Sequence, residues 1–87
     1  MRIIYKYPLV ITDLQTVYLP KGAKILTVQD QHGVACLWVE IETTNDPEQR
    51  IIEIVGTGNK MEEHERKYIS TFFQFPFVWH VYERIKI

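Results

Sequence analysis

Three histidines (His32, His64 and His80) and one cysteine (Cys36) are the residues of this chain best suited to metal binding or nucleophilic chemistry. Zinc sites recruit such residues at short spacings, C-x₂-C or H-x₃₋₅-H, and neither spacing occurs. His32 sits in a turn, His64 in a charged stretch and His80 between Trp79 and Val81, so no metal and no cofactor is expected. Cys36 stands mid-strand between Ala35 and Leu37. A reactive thiolate needs an electropositive, partly exposed setting, and free cysteine is among the most buried residue types, so a core thiol is expected. Glu62, Glu63 and Glu65 stand in one run with Lys60, Arg66 and Lys67. A catalytic carboxylate needs an apolar pocket that shifts its pKa; this run reads as a solvated face. No nucleophile–base pair survives, and the chain is not expected to be an enzyme.

Two other groups of residues point to binding. Gly56-Thr57-Gly58 follows an apolar strand, where backbone N–H groups can turn towards an anion, and Lys60 adds a charge. The spacing matches neither a dinucleotide fingerprint nor a P-loop, and a turn needing positive φ accounts for the glycines equally well. In an oligomer, Tyr5, Tyr7 and Trp79 would supply stacking surfaces for a base beside that turn. Phe72, Phe73, Phe75, Phe77 and Tyr82 form the second group. Adjacent aromatics cannot all enter one side of a strand, so part of this surface must meet a second layer, another subunit or a partner. A homo-oligomer interface is the leading expectation there.

The elements that position these residues are short strands. With 87 residues, of which 46% are hydrophobic and 24% charged, the chain fits one domain spanning 1–87. Ile3–Tyr7 is closed by Pro8, with Leu9–Ile11 continuing past a kink. Thr16–Leu19 ends at Pro20-Lys21-Gly22. Lys24–Gln29 and Val34–Glu42 read as a hairpin with Gly33 at a position needing positive φ. A polar loop, Thr43–Gln49, precedes Arg50–Val55; Lys60–Lys67 is one short helical turn or a solvated loop; Tyr68–Phe73 and Phe77–Tyr82 follow, and the tail to Ile87 extends the last strand. The expected fold is mostly β: a single small antiparallel domain, sandwich-like or a half-open barrel, of six or seven strands.

Charge narrows the partners. Ten Lys+Arg balance eleven Asp+Glu for a net charge of -1, so nonspecific nucleic-acid binding, which needs a basic excess, is not expected. Lys6 interrupts the apolar N-terminus, which does not read as a signal peptide. No run approaches the about 20 apolar residues of a membrane helix. A lone cysteine suits a reducing cytoplasm.

Tyr5-Lys6-Tyr7-Pro8-Leu9, Ile11-Thr12-Asp13, Leu19-Pro20-x-Gly22-Ala23-x-Ile25-Leu26, Gln31-x-Gly33 with Cys36-Leu37-Trp38, Ile54-Val55-Gly56-Thr57-Gly58 and Phe77-Val78-Trp79-His80-Val81 occur in that order. As a set they resemble a family of small bacteriophage- and prophage-encoded proteins of unknown function, over nearly the whole chain. The charged Glu62–Lys67 segment and the aromatic Phe72–Phe77 stretch depart from that pattern. The resemblance implies a viral accessory protein in the bacterial host cytoplasm and assigns no residue a role. Combined with small size and surplus aromatics, it leads to a non-catalytic binder that inhibits a host defence protein. The alternative is an oligomeric sponge that sequesters a nucleotide signal.

Overall fold

In the computed structural model, which describes residues 1–85, the strongest alternating run of the sequence becomes the centre of a sheet. Seven strands form among the described residues, and no helix: β1 (Arg2–Pro8), β2 (Leu14–Pro20), β3 (Lys24–Gln31), β4 (Val34–Glu42), β5 (Pro47–Gly56), β6 (Arg66–Gln74) and β7 (Phe77–Arg84). They build two antiparallel sheets, ordered β1-β4-β3 and β2-β5-β7-β6. Alternate residues of β4 (Ala35, Leu37, Val39 and Ile41) point inward and meet Leu19, Ile52, Ile54, Phe72 and Val81 from the other sheet. One face of each sheet thus forms a single core, as period-two patterning requires.

The β3–β4 hairpin forms as its sequence predicts, but its turn asks more of the backbone. Gln31 lies opposite Val34, leaving His32 (φ 53°) and Gly33 (φ 87°) as the two turn residues. Positive φ at both positions makes a type I′ turn, whose twist matches the flanking strands. Asp30 Oδ2 accepts a hydrogen bond from Gly33 N–H at 3.2 Å and holds the turn.

Three boundaries differ from expectation. Leu9–Ile11 does not extend β1: Leu9 is buried and its N–H donates to Ala35 C=O at 2.8 Å, after which the chain crosses to the other sheet. The expected Thr43–Gln49 loop is shorter, because Pro47, Glu48 and Gln49 already pair with Pro20, Leu19 and Tyr18. β6 starts at Arg66, ahead of the expected Tyr68, and residues 60–65 form the solvated loop that was one of the two expected readings, since no apolar stripe would dock a helix there. The last strand runs to Arg84; Lys86 and Ile87, assigned from sequence to its extension, lie outside the described residues. Cys36 is buried as expected, yet outside the core between the sheets. It occupies the outer face of the three-stranded sheet, between Pro8 and Gln29 in register.

The two sheets join along one side only. A bulge in β6 between Tyr68 and Ser70 turns Ser70 towards β3. Its buried hydroxyl accepts from Val28 N–H at 2.8 Å and donates to Val28 C=O at 2.9 Å. One side chain thereby satisfies both backbone groups of a fully buried residue where no ladder exists. Along the opposite side β1 and β2 remain edges, so the architecture is a sandwich clasped at β3/β6 and open at β1/β2. Ser70→Ala should strand both Val28 groups in the core. Since a buried unpaired polar group costs about 1–3 kcal/mol, the variant should lose at least about 2 kcal/mol in urea titration with little change in m.

Candidate functional site

The β6–β7 hairpin carries most of the aromatic stretch, and strand alternation divides it. Phe72 lies opposite Trp79 on the inner face and is 1% exposed; Phe73 lies opposite Val78 on the outer face and is 73% exposed. Beyond them Gln74 pairs with Phe77 across a turn formed by Phe75 and Pro76, joined by a cis peptide bond. Phe75 is 99% exposed and Phe77 56%. Phe72 therefore belongs to the core and leaves the expected interface. Tyr82 stands apart from the hairpin tip, half-buried mid-sheet on the outer face. Phe73, Phe75 and Phe77 remain, gathered at one tip.

The tip is held in place. Gln74 Nε2 donates to Asp30 Oδ1 at 2.7 Å, tying this turn to the β3–β4 turn, while its Oε1 accepts from Trp79 Nε1 at 3.2 Å. Phe77 stacks on Trp79 with ring centroids 5.3 Å apart and planes 24° apart. Asp30, Gly33, Gln74 and the three phenylalanines line an open groove of about 490 Å³. Burying one phenylalanine is worth about 1.5–3 kcal/mol, and three of them contribute little of that to the fold. Rigid aromatic groups lose little entropy on binding, so the tip can act as a preformed anchor for an apolar surface. The Gln74 clamp was not anticipated from sequence. Its only trace was a polar residue set among phenylalanines.

The second sequence-derived group is dispersed. Gly56 ends β5 opposite Trp79 of β7, and Thr57, Gly58 and Lys60 follow it. Tyr5 and Tyr7 belong to β1 in the other sheet, where their rings meet edge-on at 5.3 Å. The glycines have local reasons. A Cβ on Gly56 would lie 3.1 Å from the Trp79 indole and 2.9 Å from Asn59 Nδ2, while Gly58 has φ 89°. Two amides of the turn are engaged: Thr57 N–H donates to Val78 C=O at 3.3 Å and Asn59 N–H to Gly56 C=O at 3.1 Å. The Thr57 hydroxyl is 2.7 Å from His80 Nε2, and His80 Nδ1 is 3.0 Å from the Thr71 hydroxyl, so His80 is held between two hydroxyls.

The outer face of the four-stranded sheet holds a charge cluster that sequence reasoning missed. Glu53, on β5, was hidden in an apolar run. It receives Arg66 Nε at 2.7 Å and Arg84 Nη2 at 3.1 Å. Arg66 also lies 5.7 Å from the Tyr82 ring centroid. Burial is the largest single influence on the Glu53 carboxyl and opposes its ionisation. Hydrogen bonds from Arg66 and Arg84, together with their charges, outweigh it and hold the pKa below the usual carboxylate range. A cleft of about 410 Å³ adjoins the cluster, lined in part by Asp13, Asn59, Lys60 and Glu62.

The chain belongs to the family described as a domain of unknown function, DUF7352, which it matches over residues 1–86. No curated protein and no solved structure shows a significant match to it.

Two outcomes follow from this geometry. Phe75→Ser should move the unfolding free energy by less than about 0.5 kcal/mol, whereas Phe72→Ala should cost about 3–5 kcal/mol, both by urea titration. A carboxyl whose folded pKa is depressed contributes stability above its unfolded value, about 4.3, that is lost as pH falls through the folded value. Stability should therefore fall on acidification below about pH 4.3, and Glu53→Gln should flatten that dependence.

Proposed function

We propose that this DUF7352 protein is a non-catalytic binding module that docks a partner protein through Phe73, Phe75 and Phe77. The observation that carries the reading is that three exposed phenylalanines stand on a tip pinned by Gln74 to Asp30 and Trp79. Large exposed aromatics on a rigid support fit the anchors of protein interfaces, whereas they add little to a monomer in water. The resemblance to small phage-encoded proteins makes a bacterial host protein the partner class, with inhibition of a defence component in the host cytoplasm as the outcome. Sequestration of a nucleotide has weaker support, because the Thr57 and Asn59 amides of the glycine turn already donate to backbone carbonyls, and within one chain Tyr5 and Tyr7 stand on a different sheet from Gly56, Thr57, Gly58 and Lys60.

The test is affinity capture from bacteria with active defence systems, followed by titration calorimetry on the purified partner. Wild-type protein should retain one host protein stoichiometrically, and Phe75→Ala should weaken its binding about 30-fold, the loss of one anchor worth about 2 kcal/mol. Failure to retain any host protein overturns the reading. A thermal shift with linear or cyclic nucleotides, unchanged in Phe75→Ala, would favour the nucleotide sponge instead.

A further inference from the structure

Antiparallel pairing gives every second residue of an edge strand a backbone N–H and C=O turned away from its neighbour. Ile54 N–H donates to Asp13 C=O at 3.1 Å, in the register that sets Leu14 opposite Glu53 and Val17 opposite Arg50. Alternation then directs Gln15, Val17 and Leu19 towards β5 and turns Leu14, Thr16, Tyr18 and Pro20 outward. On β1, Thr43 N–H donates to Met1 C=O at 3.0 Å and Leu9 N–H to Ala35 C=O at 2.8 Å. There the outward set is Arg2, Ile4, Lys6 and Pro8.

The sheet edges are not equally protected. Soluble proteins block strand addition with cations, proline or a covering segment. The β3/β6 side is covered, because Ser70 occupies both backbone groups of Val28. On β1 the outward set contains two cations, and they are fixed: Arg2 Nη1 donates to Glu40 at 3.2 Å and Lys6 Nζ to Gln31 Oε1 at 2.6 Å. β2 carries no cation, and its one proline, Pro20, stands at its last position. Leu14 to Pro20 contains no charged residue, and Ile11, Leu14 and Tyr18 are exposed beside it.

We propose that β2 is the seam of a homodimer, in which the β2 strands of two copies pair antiparallel about a two-fold axis at Val17. The occupant is a second copy because the outward set is complementary to itself. Thr16 pairs with Tyr18 of the partner subunit and Tyr18 with Thr16 of the partner subunit, so outward-facing groups meet outward-facing groups on both sides of the axis. No like charges face each other. Pro20 is in the outward set, has no N–H to lose from the β5 ladder, and ends the pairing at that point. The two four-stranded sheets become one continuous sheet, and the dimer carries two aromatic tips. This inference does not depend on what the tips bind.

Native mass spectrometry and sedimentation of the full chain at micromolar concentration test it. Wild-type protein should be a dimer, Thr16→Lys/Tyr18→Lys a monomer with native circular dichroism, and Phe73→Ser/Phe75→Ser still a dimer. Hydrogen exchange on wild-type protein gives a reading that needs no variant. Raising the protein concentration should slow the Thr16 and Tyr18 amides at least about 10-fold, while Gln15 and Val17 stay protected throughout. A wild-type monomer overturns the proposal. So does a dimer that survives the lysine variant, one lost on changing the phenylalanines, or Thr16 and Tyr18 amides indifferent to concentration.

Discussion

A single serine hydroxyl decides how the two sheets of this domain meet. Sheets packed face to face hold together through apolar side chains, and those contacts are non-directional. Ser70 adds direction. By answering both the N–H and the C=O of Val28, it sets β6 against β3 at one height and along one line. The bulge that turns Ser70 inward also shifts the β6–β7 register, and that register governs which aromatics at the far end of the hairpin face in or out. Phe72 buried and Phe73 exposed are consequences of the same offset.

The clasp also produces an asymmetry. Closing the β3/β6 side leaves the backbone valences of β1 and β2 as the sheet edges, so any further pairing has to happen there. At the end of the β6–β7 hairpin the second polar device, Gln74, ties two turns together and leaves phenylalanines in water. The regions involved in folding and those left free for contact are therefore separated in space. The core is continuous between the sheets, whereas the tip and the β2 edge lie outside it. This separation lets a domain of 87 residues, with little stability to spare, keep exposed apolar groups.

Electrostatics divides in a similar way. Glu53 with Arg66 and Arg84 forms a cluster on the outer face of one sheet, while Arg50 and Glu83 pair between the sheets, where Arg50 Nη1 also donates to Ala23 C=O at 2.9 Å. A buried carboxylate would be costly alone, and each of these is matched by guanidinium groups rather than lysines. The near-neutral total charge thus conceals strong local pairing.

Much of the architecture was legible along the chain. Alternation from Ala35 to Ile41, the His32-Gly33 turn and the prolines at strand ends each report a local constraint, and local constraints are written in consecutive residues. The division of adjacent phenylalanines between two faces was readable for the same reason. Ser70, Glu53 and Gln74 looked ordinary, because what distinguishes them is a partner 42, 13 or 44 positions away. Tyr5 and Tyr7 were grouped with Gly56 to Lys60 by residue type, and the topology placed them on another sheet. The sequence by itself determined which residues alternate, where the chain must turn and that apolar surface exceeds what one core can hold. Only the tertiary structure decided which phenylalanines are left over, which sheet edge carries no cation and which serine joins the sheets, because those depend on register between distant strands.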